Sequence, residues 1–491
     1  MRKSVNFAIV LAMTIVIFTA LSIQAIFWQQ MTIDLEVTYT QLNKAMSVNF
    51  VGLTAGCIFF IPFAKKYGRR PVYIVSTALM LTTSFWTSRI NSLTELYVTN
   101  LLQGLAGSTN ESIAEITISD LFFVHHRGSM NGLYLTCVMI GSFLTPMAAG
   151  AQATQHGWRS CYQTMGISNG ILFVIFLFIY EETKYVPLLN GQAHATVEKD
   201  KPPVLIKEDG AEIFDSGSSS NCSLSVTERA RPHHVLDLTI PQNPWRKRLA
   251  LATPTLEPIW PHFYRPFCVL ILPAVAFAAF QYAAGLAWLT VTSNVLSLTL
   301  PEPPYLFSLP KSDTLALYTA ASSVIDRFCI TQNETGATTN PKCGCTSLHL
   351  PAIFMAGGLI MFGATISRGM HWIWPNVAGA FFGFGLGSIS DATLVLVMDS
   401  YREITGDAFT AVAFMRNAVG IAVPFVISPW IQRSGIQNMF ITCGMLSLAI
   451  TGTIIPMVLW GKSARRALAG RYRDIADHGH AMGQSASLHV P

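Results

Sequence analysis

Eleven separate runs of about 20 predominantly apolar residues follow one another along this chain, each long enough for a helix to cross the roughly 30 Å hydrocarbon core of a bilayer. They cover residues 5–28, 47–63, 72–89, 96–119, 132–153, 161–180, 266–292, 350–367, 373–397, 409–430 and 437–460. Lipid offers backbone N–H and C=O groups no water to bond, so runs of this length read as helices that satisfy their own backbone. The predicted fold class is therefore an all-α polytopic membrane protein. Composition points the same way. Of 491 residues 51% are apolar and only 12% are Asp, Glu, Lys or Arg, against about 25% charged in an average soluble domain. So few charges cannot cover a water-soluble surface of this size, which argues against a soluble enzyme. A formal net charge of +5 is too small for a nucleic-acid binder. No Walker A phosphate loop occurs, the pair His125 and His126 offers no metal geometry, and the reading requires no cofactor.

Basic residues in short connections mark the cytoplasmic side. Arg2 and Lys3 precede the first span, Lys65, Lys66, Arg69 and Arg70 lie between the second and third, and Arg127 follows the fourth. The tail from Gly461 adds Lys462, Arg465, Arg466, Arg471 and Arg473. Both termini are thus expected in the cytoplasm, which requires an even number of crossings and one more than the eleven clear spans. The missing crossing, an eighth helix, must fall in 300–349. Its best candidate, Asp313 to Ile330, carries Asp313, Asp326 and Arg327, each costing roughly 2.5–3.5 kcal/mol at a helix centre. This helix is degenerate, or the segment reflects an incorrect gene model. Asn333-Glu-Thr is a glycosylation sequon, usable where the segment faces outward.

The expected domains are a six-helix bundle over 1–180, a disordered cytoplasmic linker over 181–264, a second bundle over 265–460 and a basic cytoplasmic tail over 461–491. The linker mixes Pro, Gly, Ser and both signs of charge in KPPVLIKEDG, SGSSSN and RPHH without helical periodicity. The nine cysteines fall mostly inside apolar runs and suggest no disulfide framework.

The two halves share a spacing that composition does not require. Asp120 ends the fourth span, Pro146 lies 26 residues on after Gly141, and Gly157 follows 11 later; Asp399 ends the tenth, Pro424 lies 25 on after Gly420, and Gly435 again follows 11 later. Repeats of this kind typify secondary transporters that bind substrate near the midplane between halves.

GCIFFIPFAKKYGRRP, LLQGLAGSTNESIAEITISDLFFVHHRG, GSFLTPMAAG with GWR, EET, ISDATLVLVMDSYREITGDAF and FMRNAVG together resemble the fungal drug:proton antiporter branch of the major facilitator superfamily. They also resemble fungal polyamine and organic-cation transporters. The resemblance implies twelve helices in two six-helix bundles. It also implies a cytoplasmic gate in which Arg69 and Arg70 bond Asp120 or Asp399, and an antiporter-type motif in helix five built on Gly141, Pro146 and Gly150. Two positions depart from the family pattern in chemistry: Lys65 stands where the family has Asp, and Asn100 where it commonly has a proton-coupling Arg.

Ionisable residues inside spans are expensive and are functional candidates by default. Glu111 and Glu115 lie one helical turn apart on one face, and two carboxylates so close in low dielectric can hold and release a proton between them. Asp391 and Arg416 lie at comparable depth in helices ten and eleven, which makes them a candidate ion pair that changes partners between states.

The functional expectation is a secondary active transporter exporting a small hydrophobic or amphipathic compound from the cell membrane, coupled to protons. Its expected partners are that small-molecule substrate, membrane lipid and protons, and no nucleic acid. Two alternatives stay open: an importer or exchanger of organic cations such as polyamines, and a membrane sensor that transports nothing.

Overall fold

The computed structural model describes residues 2–122, 124–183, 253, 259–299, 349–401, 404–468 and 470–472. Within them α1 (Arg2–Ser22) passes through a 3₁₀ turn (Ile23–Phe27) into α2 (Trp28–Asp34), and α3 (Tyr39–Tyr67), α4 (Arg69–Thr87) and α5 (Leu93–Leu121) follow. Then α6 (Val124–Met139) continues through a π turn (Ile140–Leu144) into α7 (Thr145–His156), and α8 (Trp158–Phe178) closes the first half. The second half holds α9 (Trp260–Val269), α10 (Pro273–Thr299), α11 (His349–Ser367), α12 (Ile373–Ser400), α13 (Thr405–Gly452) and α14 (Ile454–Ala467). Joined across their breaks, these helices form six rods in the first half and, among the described residues, five in the second. Residues 300–348, where the eighth helix was expected, lie outside the described residues, as do Asn333 and most of the linker. Among the described residues, seven helical stretches are both long and apolar enough to cross a membrane.

Several helix ends run past the sequence expectation: the first rod extends to Asp34, and α3 and α6 begin eight residues early, at Tyr39 and Val124. The seventh rod starts at Trp260, inside the stretch assigned to the linker, because Pro261 takes a first-turn position where no N–H is needed. The last rod runs to Ala467, past the expected end at 460.

The internal repeat has a backbone counterpart. Gly157 (φ 77, ψ 162) sits between α7 and α8, and Gly435 (φ 72, ψ 165) reverses α13 into two antiparallel rods. Both adopt the same positive-φ, extended backbone, a region open essentially to glycine alone. The spacing of 11 residues after Pro146 and Pro424 thus marks one turn used twice.

Small residues set the packing. A Cβ on Gly52 would stand 2.2 Å from the Leu101 carbonyl, and one on Gly104 would stand 2.1 Å from the Asn49 carbonyl. The backbones of α3 and α5 therefore touch, the close approach that glycine permits between membrane helices. Gly141, in the π turn, faces the Ile15 carbonyl at 2.6 Å in the same way, and Thr145 shares a 2.5 Å hydroxyl contact with Thr19 of α1.

Candidate functional site

The two halves meet along α3 and α5 on one side and α13 on the other. Cys57 and Ile61 of α3, Ile116 of α5 and Ala413 of α13 form a small apolar cluster in this seam, and Gly420 of α13 makes room for the Phe50 ring. Set into that apolar surface are two ionic contacts, and each joins one half to the other.

The deeper contact is Arg416 of α13 with Glu111 of α5. The residues are 8% and 6% exposed, and a buried cation can persist only where an anion and further polar groups compensate it. Asn417 supplies the rest. Its Nδ2 donates to Glu111 Oε2 at 2.8 Å and its Oδ1 accepts from Arg416 Nε at 3.2 Å. The same Nδ2 lies 3.7 Å from Cys57 Sγ, which in turn lies 3.3 Å from the Ser112 hydroxyl. The Arg416 guanidinium also stands 5.1 Å from the Tyr282 ring of α10, within cation–π range. Glu115, one turn along α5, is 7% exposed and is a further electrostatic neighbour of Arg416, with Tyr134 of α6. Three rods from the first half and three positions from the second thereby converge on one carboxylate pair, one cation and one amide.

Arg416 is partnered by Glu111, a contact sequence spacing did not suggest, while its expected pairing with Asp391 lies outside the described residues. Depth along two helices could be read from the sequence, whereas the rotation that turns Arg416 toward α5 could not. The side chains of Asp391, Asp399 and Pro146 lie outside the described residues, although α12 and α7 carry their backbones. Gly150 is buried in α7.

The second ionic contact lies at the end of the bundle where α3 and α4 meet. Lys65, near the end of α3, is paired with Asp407 in the first turn of α13. Sequence reasoning took Lys65 for plain anchoring and passed over Asp407; the Asp of the family pattern, replaced here by a cation, was the available signal. Arg69 bonds Asp120 of α5 at 3.0 Å, as the resemblance implies, and this contact stays within the first half. Arg70 donates to the Leu177 carbonyl at 2.6 Å. Glu182 caps α4: its two carboxylate oxygens accept the backbone N–H groups of Arg69 (2.9 Å) and Arg70 (3.1 Å), placing an anion at a positive helix end. The turn itself needs Gly68 at φ 111, where Glu182 also leaves no space for a Cβ.

Asn100 makes no charge contact of the kind an arginine there would make. Its Nδ2 donates to Leu96 of its own helix at 2.8 Å and its carbonyl accepts from Asn49 Nδ2 at 3.2 Å, so it fastens α3 to α5. Among the described residues no cluster of His, Cys, Asp or Glu is arranged to hold a metal ion.

Two repeated helical halves, buried charges on their shared seam and ionic contacts that must part when the halves rock define a multi-pass membrane transporter. The chain belongs to the Major Facilitator Superfamily, whose profile matches residues 10–424. It is 26% identical to the MFS-type transporter C1271.10c of Schizosaccharomyces pombe over 90% of this chain and 81% of that one. It is 24% identical to the multidrug transporter TPO1_2 of Candida glabrata, over 85% and 67% of the two chains. It is also 21% identical to the efflux pump FUB11 of Gibberella fujikuroi, over 91% and 72%.

Proposed function

We propose that this transporter exports small hydrophobic or amphipathic compounds across the cell membrane in exchange for protons, with both termini in the cytoplasm. The observation that carries the reading is the Glu111–Arg416 pair across the seam. Rocking the halves apart separates a buried cation from its anion, and a proton on Glu111 lowers that cost by removing the anion's charge. Proton uptake and parting of the halves are then one event. The Lys65–Asp407 and Arg69–Asp120 contacts serve as the cytoplasmic gate, and the packing of Gly141 on α1 lets helix five pivot. Relatives named as a multidrug transporter and an efflux pump support the outward direction.

A second reading, import or exchange of organic cations, is favoured by the two buried carboxylates Glu111 and Glu115 beside the Tyr282 and Tyr134 rings. Direction separates the two. Purified protein in liposomes, given an inwardly acidic gradient and a panel of lipophilic drugs and labelled polyamines, should drive drug movement against the proton flow. Efflux of preloaded amine alongside the proton, with no drug movement, would reverse the assignment.

A further inference from the structure

Asn417 is fully buried, belongs to neither charged group, and yet bonds both. A primary amide has one acceptor end and one donor end, and here each end is matched: Oδ1 to the Arg416 N–H and Nδ2 to Glu111 Oε2. That match holds only while Oε2 is an acceptor. We propose that Asn417 is the positioning residue that converts the protonation of Glu111 into release of Arg416, by turning its amide over. The proposal rests on the proton-coupled reading above and deepens it.

The step balances simply. One proton from water adds to Oε2, an O–H bond forms, and the carboxylate loses its charge. Oε2 then presents a hydrogen toward Asn417 where it previously took one. Two donors facing each other in a dry site are unfavourable, each left unbonded at about 1–3 kcal/mol. Rotation of the amide by half a turn moves the conflict to the cation: Oδ1 accepts the new O–H, and Nδ2 faces the Arg416 N–H, donor against donor. The guanidinium thus loses its anion and its amide acceptor together. Cys57 Sγ, 3.7 Å from Nδ2, is a weak acceptor that holds the unprotonated arrangement only loosely.

The titratable and charged groups facing this carboxylate are Arg416 on α13, Glu115 on α5, Tyr134 on α6, Tyr282 on α10 and Cys57 on α3. What singles out the amide is that its two ends bond the cation and the anion directly, Oδ1 accepting from Arg416 and Nδ2 donating to Glu111.

The test is infrared pH-difference spectroscopy of the purified full-length protein, reading the C=O band of a protonated carboxylic acid, with Glu111→Gln assigning the band to Glu111. Removal of a donor to the carboxylate in Asn417→Leu should move the midpoint of that band alkaline by about one pH unit. Asn417→Asp, nearly isosteric and adding a second acid, should move it further. Should Asn417→Leu fail to fold, Asn417→Asp carries the same measurement. A role in packing alone would lower thermal stability and leave the midpoint where it is; unmoved midpoints in the folded variants overturn the inference while leaving proton coupling intact. A wild-type protein with no Glu111 band at any pH overturns the coupling reading itself, and the inference with it.

Discussion

Lys65 at the end of α3 and Asp407 in the first turn of α13 are ion-paired across the seam, nine residues along α13 from the Arg416–Glu111 pair. The spacing is about 13 Å along the helix axis. The two contacts have opposite polarity: the second half supplies the anion at the bundle end and the cation within. Rigid rocking of one half would open both, while in the proposed coupling a proton acts on the inner pair directly.

Reversing one member of the outer pair is expected to favour the state in which this end is open. Lys65 and Asp407 are 17% and 11% exposed, so loss of the pair should cost about 1–3 kcal/mol, between the values for surface and fully buried pairs. Lys65→Asp should therefore expose a cysteine placed at Ala413 to a water-soluble maleimide about tenfold faster. Lys65→Asp combined with Asp407→Lys should return labelling to the wild-type rate, and failure of that rescue would argue against the pair as a gate.

Glu111→Gln should leave Arg416 buried without its counter-ion. Removing one partner of a buried pair costs about 3–5 kcal/mol, so detergent-solubilised protein should melt several degrees lower. In liposomes the same variant should move substrate only down its own gradient, with no response to an imposed pH difference.

The glycines of the α3–α5 contact invert the usual effect of adding a methyl group. Gly→Ala within a helix ordinarily gains about 1 kcal/mol of helix propensity. Gly104→Ala drives a methyl to 2.1 Å from the Asn49 carbonyl and should destabilise by about 2–4 kcal/mol. At Gly357, in α11, a Cβ meets nothing within 4 Å, so Gly357→Ala should be neutral or stabilising. Thermal unfolding of the pair of variants gives the sign of each.

Glu182→Ala should free the first N–H groups of α4 and cost about 1 kcal/mol, the usual value of a helix cap. The loss should grow at low salt, where the attraction between carboxylate and helix dipole is least screened. Glu182→Gln, which keeps an acceptor and drops the charge, should fall between.

The sequence by itself determined most of the architecture. Apolar runs of bilayer length gave the rods, because lipid allows backbone no other satisfaction, and their bounds shifted where polar flanking turns such as Tyr39 to Met46 also took helical form. The offset from Pro146 to Gly157 and from Pro424 to Gly435 foretold a repeat, because a positive-φ, extended backbone calls for glycine in both halves. Buried charge was also legible, so Glu111, Glu115 and Arg416 stood out by type and depth. Their partners were not. Depth follows from counting residues at 1.5 Å each, but the direction a side chain points depends on how a helix is rotated against neighbours hundreds of residues away. Tertiary packing alone turned Arg416 to Glu111, set Asn417 between them, and made Lys65 a contact between halves.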